Sequence, residues 1–196
     1  MLEVVTGVQT PDETLVRLAR GGDNSACEEL FRRYRSDAYR YAYRQLGHDE
    51  DALDVVQESM LKAFSGLEDF DGRSAFRTWL LRIVINTAFD WGRRRKRRPG
   101  GRGGDDVNPA EYEVATDDDP ARRLNQQDLR VALDRALDHL SQTIRSTFVL
   151  FAELGLSYRE IAETQDVPIG TVMSRIHAAR EKLQTELDWD ELSGLS

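Results

Sequence analysis

The sequence predicts an all-α fold: two small helical domains joined by a flexible, charged linker. Apolar residues recur at helical spacing through both halves, and no segment of comparable strength alternates with period two. Between the halves lies a glycine-rich, charge-polarised stretch with little to bury. The length, 196 residues, suits one domain or two small ones, each with a modest core.

Thr10-Pro-Asp-Glu13 carries a capping signature, followed by Leu15, Val16, Leu18 and Ala19, and Gly21-Gly22 ends this first helix. A second helix runs from Asp23 to Leu46 on Leu30, Phe31, Tyr34, Ala38, Tyr41 and Ala42, and Gly47 closes it. The third spans Asp49 to Leu67, with Ala52, Val55, Val56, Met60 and Phe64 inward and Asp51, Asp54, Gln57, Glu58 and Lys62 outside or at the margin. After the loop 68–73, Ser74 is expected to cap a long helix through Phe76, Trp79, Leu80, Ile83, Val84, Thr87 and Ala88.

That helix runs into Arg93, Arg94, Arg95, Lys96, Arg97, Arg98 and Arg102, seven cations followed over 105–119 by seven carboxylates. Residues 10–98 form the first expected domain, 99–119 the linker, 120–187 the second domain and 188–196 a short acidic tail. Asp119-Pro120 starts the second domain by the N-cap and N1 rule, and Leu124, Leu129, Leu133, Ala136, Leu137 and Leu140 make its apolar stripe. Ser141 caps a helix through Ile144, Phe148, Val149 and Leu150, ending near Gly155.

The region 156–180 is the most informative. Ser157 and Glu160 form an S-x-x-E capping box, Ile161 and Ala162 supply a buried face, 164–167 make a break, and Pro168 opens a second helix. Val172 and Ile176 point inward, leaving Thr171, Ser174, Arg175, His177 and Ala178 outward. This is the layout of a helix-turn-helix whose second helix enters a DNA major groove. The net charge of −8 does not oppose it, because only the DNA-facing surface must be basic.

The chain resembles the bacterial RNA polymerase sigma factors of the small extracytoplasmic-function (ECF) group. The first half carries the likeness through 54–64 (DVVQESMLKAF) and 70–88 (FDGRSAFRTWLLRIVINTA), and the second through Leu140, 155–162 (GLSYREIA) and 168–183 (PIGTVMSRIHAAREKL). The resemblance implies a transcription initiation factor that binds core polymerase and directs it to promoters with −35 and −10 elements. On this reading Asp51, Asp54, Gln57 and Glu58 face the β′ clamp helices; a solvated acidic helix face is the other reading of these residues. Phe70, Asn86, Asp90, Arg93, Arg94 and Arg95 serve −10 recognition and melting. Phe70 offers aromatic surface for a flipped base, Asn86 reads a base edge, and the arginines contact phosphate. Asp90 departs from the neutral amide often found there. Thr171, Ser174, Arg175, His177 and Arg180 face the −35 element. Either arginine contacts phosphate or one reaches guanine; Met173 and Phe151 replace polar or basic residues frequent in relatives and leave this reader weakly basic. Docking on the β flap then supplies effective concentration. An anti-sigma factor is a further candidate partner. The basic and acidic linker blocks are expected to attract one another and hold the free chain compact.

A stand-alone helix-turn-helix regulator, acting without polymerase, is the alternative reading. Enzyme chemistry is not expected, because His48, His139 and His177 are widely separated and Gly100 to Gly104 lacks a G-K-[ST] ending. A metal site at His48, Asp49, Glu50 and Asp51 is disfavoured, since acids in a first turn already complement the helix dipole. No cofactor is expected. Cys27 is the single cysteine, which excludes a disulfide framework, and no apolar run is membrane-length. Cytoplasmic localisation is the corresponding expectation.

Overall fold

The computed structural model describes residues 10–97 and 133–186, and every regular element among them is helical. The linker 99–119, the start at Asp119-Pro120, Leu124, Leu129, Arg98, Arg102, the acidic tract and the tail 188–196 lie outside the described residues.

The first half contains α1 (Asp12–Arg20), α2 (Asn24–Leu46), α3 (Asp49–Gly66) and α4 (Phe76–Arg97). The Asp23 side chain caps α2 by accepting from the Ser25 and Ala26 N–H groups, and Gly47 ends it in the left-handed region at φ 70°. Two expected caps differ. Helix α1 has Pro11, which has no side-chain acceptor, at its N-cap, and Asp12 turns to Arg33 and Tyr34 of α2. Helix α4 begins at Phe76, two residues beyond Ser74.

In the second half, residues 133–138 form helix α5, followed by α6 (Gln142–Ala152), α7 (Tyr158–Gln165) and α8 (Ile169–Glu186). Ser141 occupies the N-cap of α6 without a side-chain bond. The Ser157–Glu160 capping box is complete in both directions. Helix α7 runs one residue past Thr164, which is buried, and ends at Asp166 in the left-handed region at φ 54°, a conformation that aspartate tolerates. Pro168 takes the N-cap of α8, its carbonyl accepting from Thr171 and Val172, so the helix opens one residue later than its proline suggests.

Leu15, Val16, Cys27, Leu30, Leu67, Phe70, Phe76 and Leu80 form a core under α1 and the starts of α2 and α4. A second core is continuous across the halves: Ala38, Tyr41, Val55, Leu81, Val84 and Ile85 meet Val149, Leu150, Leu154, Ile161, Val172 and Ile176. The halves are therefore packed on one another through helices of both, and the expected attraction between the linker charges lies outside the described residues.

One apolar assignment changes. Phe64, expected inward, is 54% exposed. Phe64 lies on the outer face of α3 while Ala63 fills the core. Both sides of that helix are rich in apolar residues, so periodicity alone assigns Phe64 to the wrong face.

Candidate nucleic-acid interface

Three helix faces carry the residues singled out in the sequence. On α3, Asp54 and Gln57 are exposed, and around them Leu53, Leu61 and Phe64 stand in solvent at 41%, 63% and 54% exposure. Their spacing puts all five on one side of the helix, an apolar stripe with polar acceptors. Sequence reasoning missed Leu53 and Leu61 as surface residues; the signal was an α3 with more apolar positions than one buried face can use.

Asp51 and Glu58 are half-buried and turn from that stripe toward α4. Asp51 pairs with Arg95 at 2.7 Å, while Glu58 pairs with Lys62 at 2.7 Å and lies 3.8 Å from Arg94. Arg95 also bonds the His48 ring. Residues expected to face protein and residues expected to face DNA thus neutralise one another.

Asn86 is exposed on α4, and Asp90 is half-buried one turn on. The Arg93 side chain bonds Asp90 and holds its carboxyl below the usual carboxylate range, so it remains anionic at neutral pH. Phe70, expected to offer aromatic surface, is 5% exposed and packs edge-on to Phe76 at 6.0 Å and against Trp79 at 5.0 Å. The Arg20 guanidinium clamps this loop through the carbonyls of Glu68 and Phe70 at 2.9 and 3.2 Å.

On α8, Val172 and Ile176 are buried while Ser174, His177 and Arg180 are exposed and Thr171 and Arg175 are half-buried. Arg175 donates to Gln165 Oε1 at 3.0 Å, and Arg180 lies 5.4 Å from the centroid of the Phe151 ring, which itself packs on Tyr158 at 5.3 Å. His177 approaches Glu181 at 3.6 Å. Met173 and Ile169 are exposed at the start of the helix, the end that reads base edges in this motif. Asn86 and Arg175, from opposite halves, line one cleft of about 440 Å³ together with Arg82, Phe89, Thr143 and Asp166.

Among the described residues no cluster of His, Cys, Asp and Glu is arranged to hold a metal ion, and no helix is long and apolar enough to cross a membrane.

Residues 30–98 match the Sigma-70 region 2 family and residues 130–183 match Sigma-70, region 4. The ECF RNA polymerase sigma-E factors of Haemophilus influenzae and Escherichia coli K12 are each 34% identical over 183 residues, which is 91% of this chain and 96% and 95% of theirs. Among solved structures, CnrH in complex with the cytosolic domain of CnrY gives a TM-score of 0.66 at 31% identity, over 91% of this chain and 98% of that one. RpoE in complex with the anti-sigma factor NepR from Bartonella quintana gives 0.66 at 25% identity, over 82% of this chain and 96% of that one. With its two helical halves matching regions 2 and 4 in order, the chain belongs to the ECF sigma factors of RNA polymerase.

Proposed function

We propose that this protein is a transcription-initiation specificity subunit. It joins core RNA polymerase, brings it to promoters with −35 and −10 elements, and helps open the −10 segment; the polymerase performs the chemistry. The observation that carries this reading is the presence, on one chain, of a helix-turn-helix reader and a separate helical unit with an exposed docking stripe, in the order that defines the family.

Asp54 and Gln57, with Leu53, Leu61 and Phe64 around them, form the face for the β′ clamp helices. Water released from this apolar stripe drives docking, and the polar pair sets register. Asp51 and Glu58 act mainly behind that face, orienting Arg95 and Arg94. Asn86 has the donor and acceptor needed to read a base edge, while Arg93, Arg94 and Arg95 exchange carboxylate partners for phosphates. Phe70 supports the loop before α4 from within its aromatic cluster, and it meets a flipped base only if that loop opens. Thr171, Ser174, Arg175, His177 and Arg180 meet the −35 duplex, and the β flap holds their domain in place. An anti-sigma factor, as seen on RpoE of B. quintana, would act by covering the α3 stripe. These activities place the protein in the cytoplasm with the polymerase and chromosome.

Docking is tested by measuring the affinity of the chain for purified core polymerase. Leu61→Asp and Gln57→Ala are expected to weaken it about tenfold or more, as central interface residues do. Wild-type affinity in both variants would remove the α3 stripe from the interface.

A further inference from the structure

The recognition helix begins with an apolar pair in solvent. Ile169 and Met173 of α8 stand 50% and 54% exposed, and among the described residues of the second half they are the large apolar side chains so placed. At i, i+4 they are neighbours, on the flank that His177 and Arg180 continue. The row beside them, Val172, Ile176, Ala179 and Leu183, is buried and anchors the helix. Ile169 and Met173 do not join that core, so packing does not account for them.

The polar side chains nearest the pair are already engaged within the protein. The Ser174 hydroxyl donates to the Thr171 carbonyl at 3.0 Å, Arg175 donates to Gln165, and Arg180 rests over the Phe151 ring. Gly170 borders Met173 three residues away and adds no side chain of its own. A β-carbon there would meet nothing within 4 Å, so no steric crowding demands this glycine. Its effect is to leave Met173 uncovered and the helix surface open to close approach.

In the major groove, base pairs are told apart by donors, by acceptors and by the C5 methyl group that thymine alone carries among the four bases. Side chains without donors or acceptors gain affinity there by displacing water from that methyl. Cytosine at the same step presents an amino donor that Ile169 and Met173 cannot satisfy. We propose that Ile169 and Met173 read thymine methyl groups, so that the −35 element of this protein contains two thymines close together. Side chains at i, i+4 lie about 6 Å apart, which is between one and two steps of about 3.4 Å along the duplex. The two thymines therefore fall within about three consecutive base pairs, on either strand. Met173, unbranched and polarisable, adapts its reach, while β-branched Ile169 holds a fixed shape at the helix tip. The inference rests on the assignment of α8 to the −35 element and adds the base that this site selects. A protein surface is the competing occupant of the pair, and it predicts no response to the methyl group.

The test uses the full chain assembled with purified core polymerase. Duplex promoters randomised across the −35 positions are selected with this holoenzyme, and thymines are expected to be enriched within one three-pair window. Each enriched thymine is then replaced by deoxyuridine, which removes the methyl and keeps the pairing face. Affinity of the wild-type holoenzyme should fall about fourfold per contacted methyl, the effect of burying one such group. In Met173→Ala and Ile169→Ala the same replacement should have little effect at the thymine that each residue meets. Both changes are at exposed positions and favour the helix, so the fold is retained, and affinity for core polymerase should stay at the wild-type value.

Equal wild-type affinity for thymine and deoxyuridine duplexes would overturn the proposal, as would undiminished discrimination in both variants. Loss of core affinity in the variants, with discrimination intact, would assign the pair to a protein partner and overturn it equally. Failure of the holoenzyme to select any −35 sequence would instead overturn the sigma-factor reading. The same thymine and deoxyuridine comparison, made on duplexes selected by the protein alone, would then still decide the methyl contact.

Discussion

The two helices proposed to face the promoter carry their arginines in opposite ways. On α4, Arg93, Arg94 and Arg95 lie against Asp90, Glu58 and Asp51, so much of their charge is compensated within the protein. On α8, Arg175 rests on the amide of Gln165 and Arg180 on the ring of Phe151, neutral partners that fix a guanidinium without cancelling it. On the proposed assignment, α4 exchanges carboxylates for phosphates when it binds DNA, whereas the α8 arginines keep their charge uncancelled. In a chain with net charge −8, the proposed assignment then implies low non-specific attraction to DNA through α4 and uncancelled arginine charge on α8.

The sharpest break in this comparison comes from Arg175→Ala. It removes an uncompensated cation from the recognition helix, and holoenzyme affinity for the promoter is expected to fall by about 1–3 kcal/mol, roughly tenfold or more. Gel-shift titration against a promoter with an altered −35 element checks it, because the loss should shrink when that element is absent. Changing Arg93, Arg94 and Arg95 together to Gln comes next. Three free phosphate contacts would contribute about 2.7 to the slope of log affinity against log salt, at about 0.9 each. Internal pairing predicts a smaller reduction, about 1–2, and an unchanged slope would take the cluster out of the interface.

Asp90→Asn should act in the opposite direction. It frees Arg93 and restores an amide, and affinity for −10 DNA is expected to rise about two- to fivefold, the effect of releasing one exposed pair. Arg93 holds the Asp90 carboxyl below its ordinary value of 3.8, so the carboxylate is charged throughout any assay above that pH. The gain should consequently be independent of pH between 6 and 8, read by open-complex footprinting across that range. An effect of similar size and opposite sign belongs to Phe151→Leu. Loss of the ring under Arg180 should weaken −35 binding about two- to fivefold through a cation–π contact of about 0.5–1 kcal/mol, measurable by anisotropy on a short duplex.

Much of this architecture was legible in the chain. Asp23, Gly47 and the Ser157–Glu160 box act through neighbours a few residues away, so their positions announce the helix ends they set. The inward Val172 and Ile176 and the outward Ser174 and His177 followed from helical periodicity alone. Other features depend on partners that no local pattern reveals. Tyr41 meets Ser146 across 105 residues, and Arg82 meets the carbonyls of Glu163 and Thr164 across 81 and 82. The pairing of Asp51 with Arg95 likewise needs the packing of α3 on α4. Phe64 was misplaced because an exposed face made of apolar residues has the same sequence signature as a core face.

The central claim is tested most directly by genome-wide run-off transcription with purified bacterial core polymerase, with and without this protein. New 5′ ends that share spaced −35 and −10 sequences, and that appear only when the protein is added, are the expected result. No new starts, together with tight binding of duplex DNA by the protein alone, would contradict it and identify a regulator that acts without joining the polymerase.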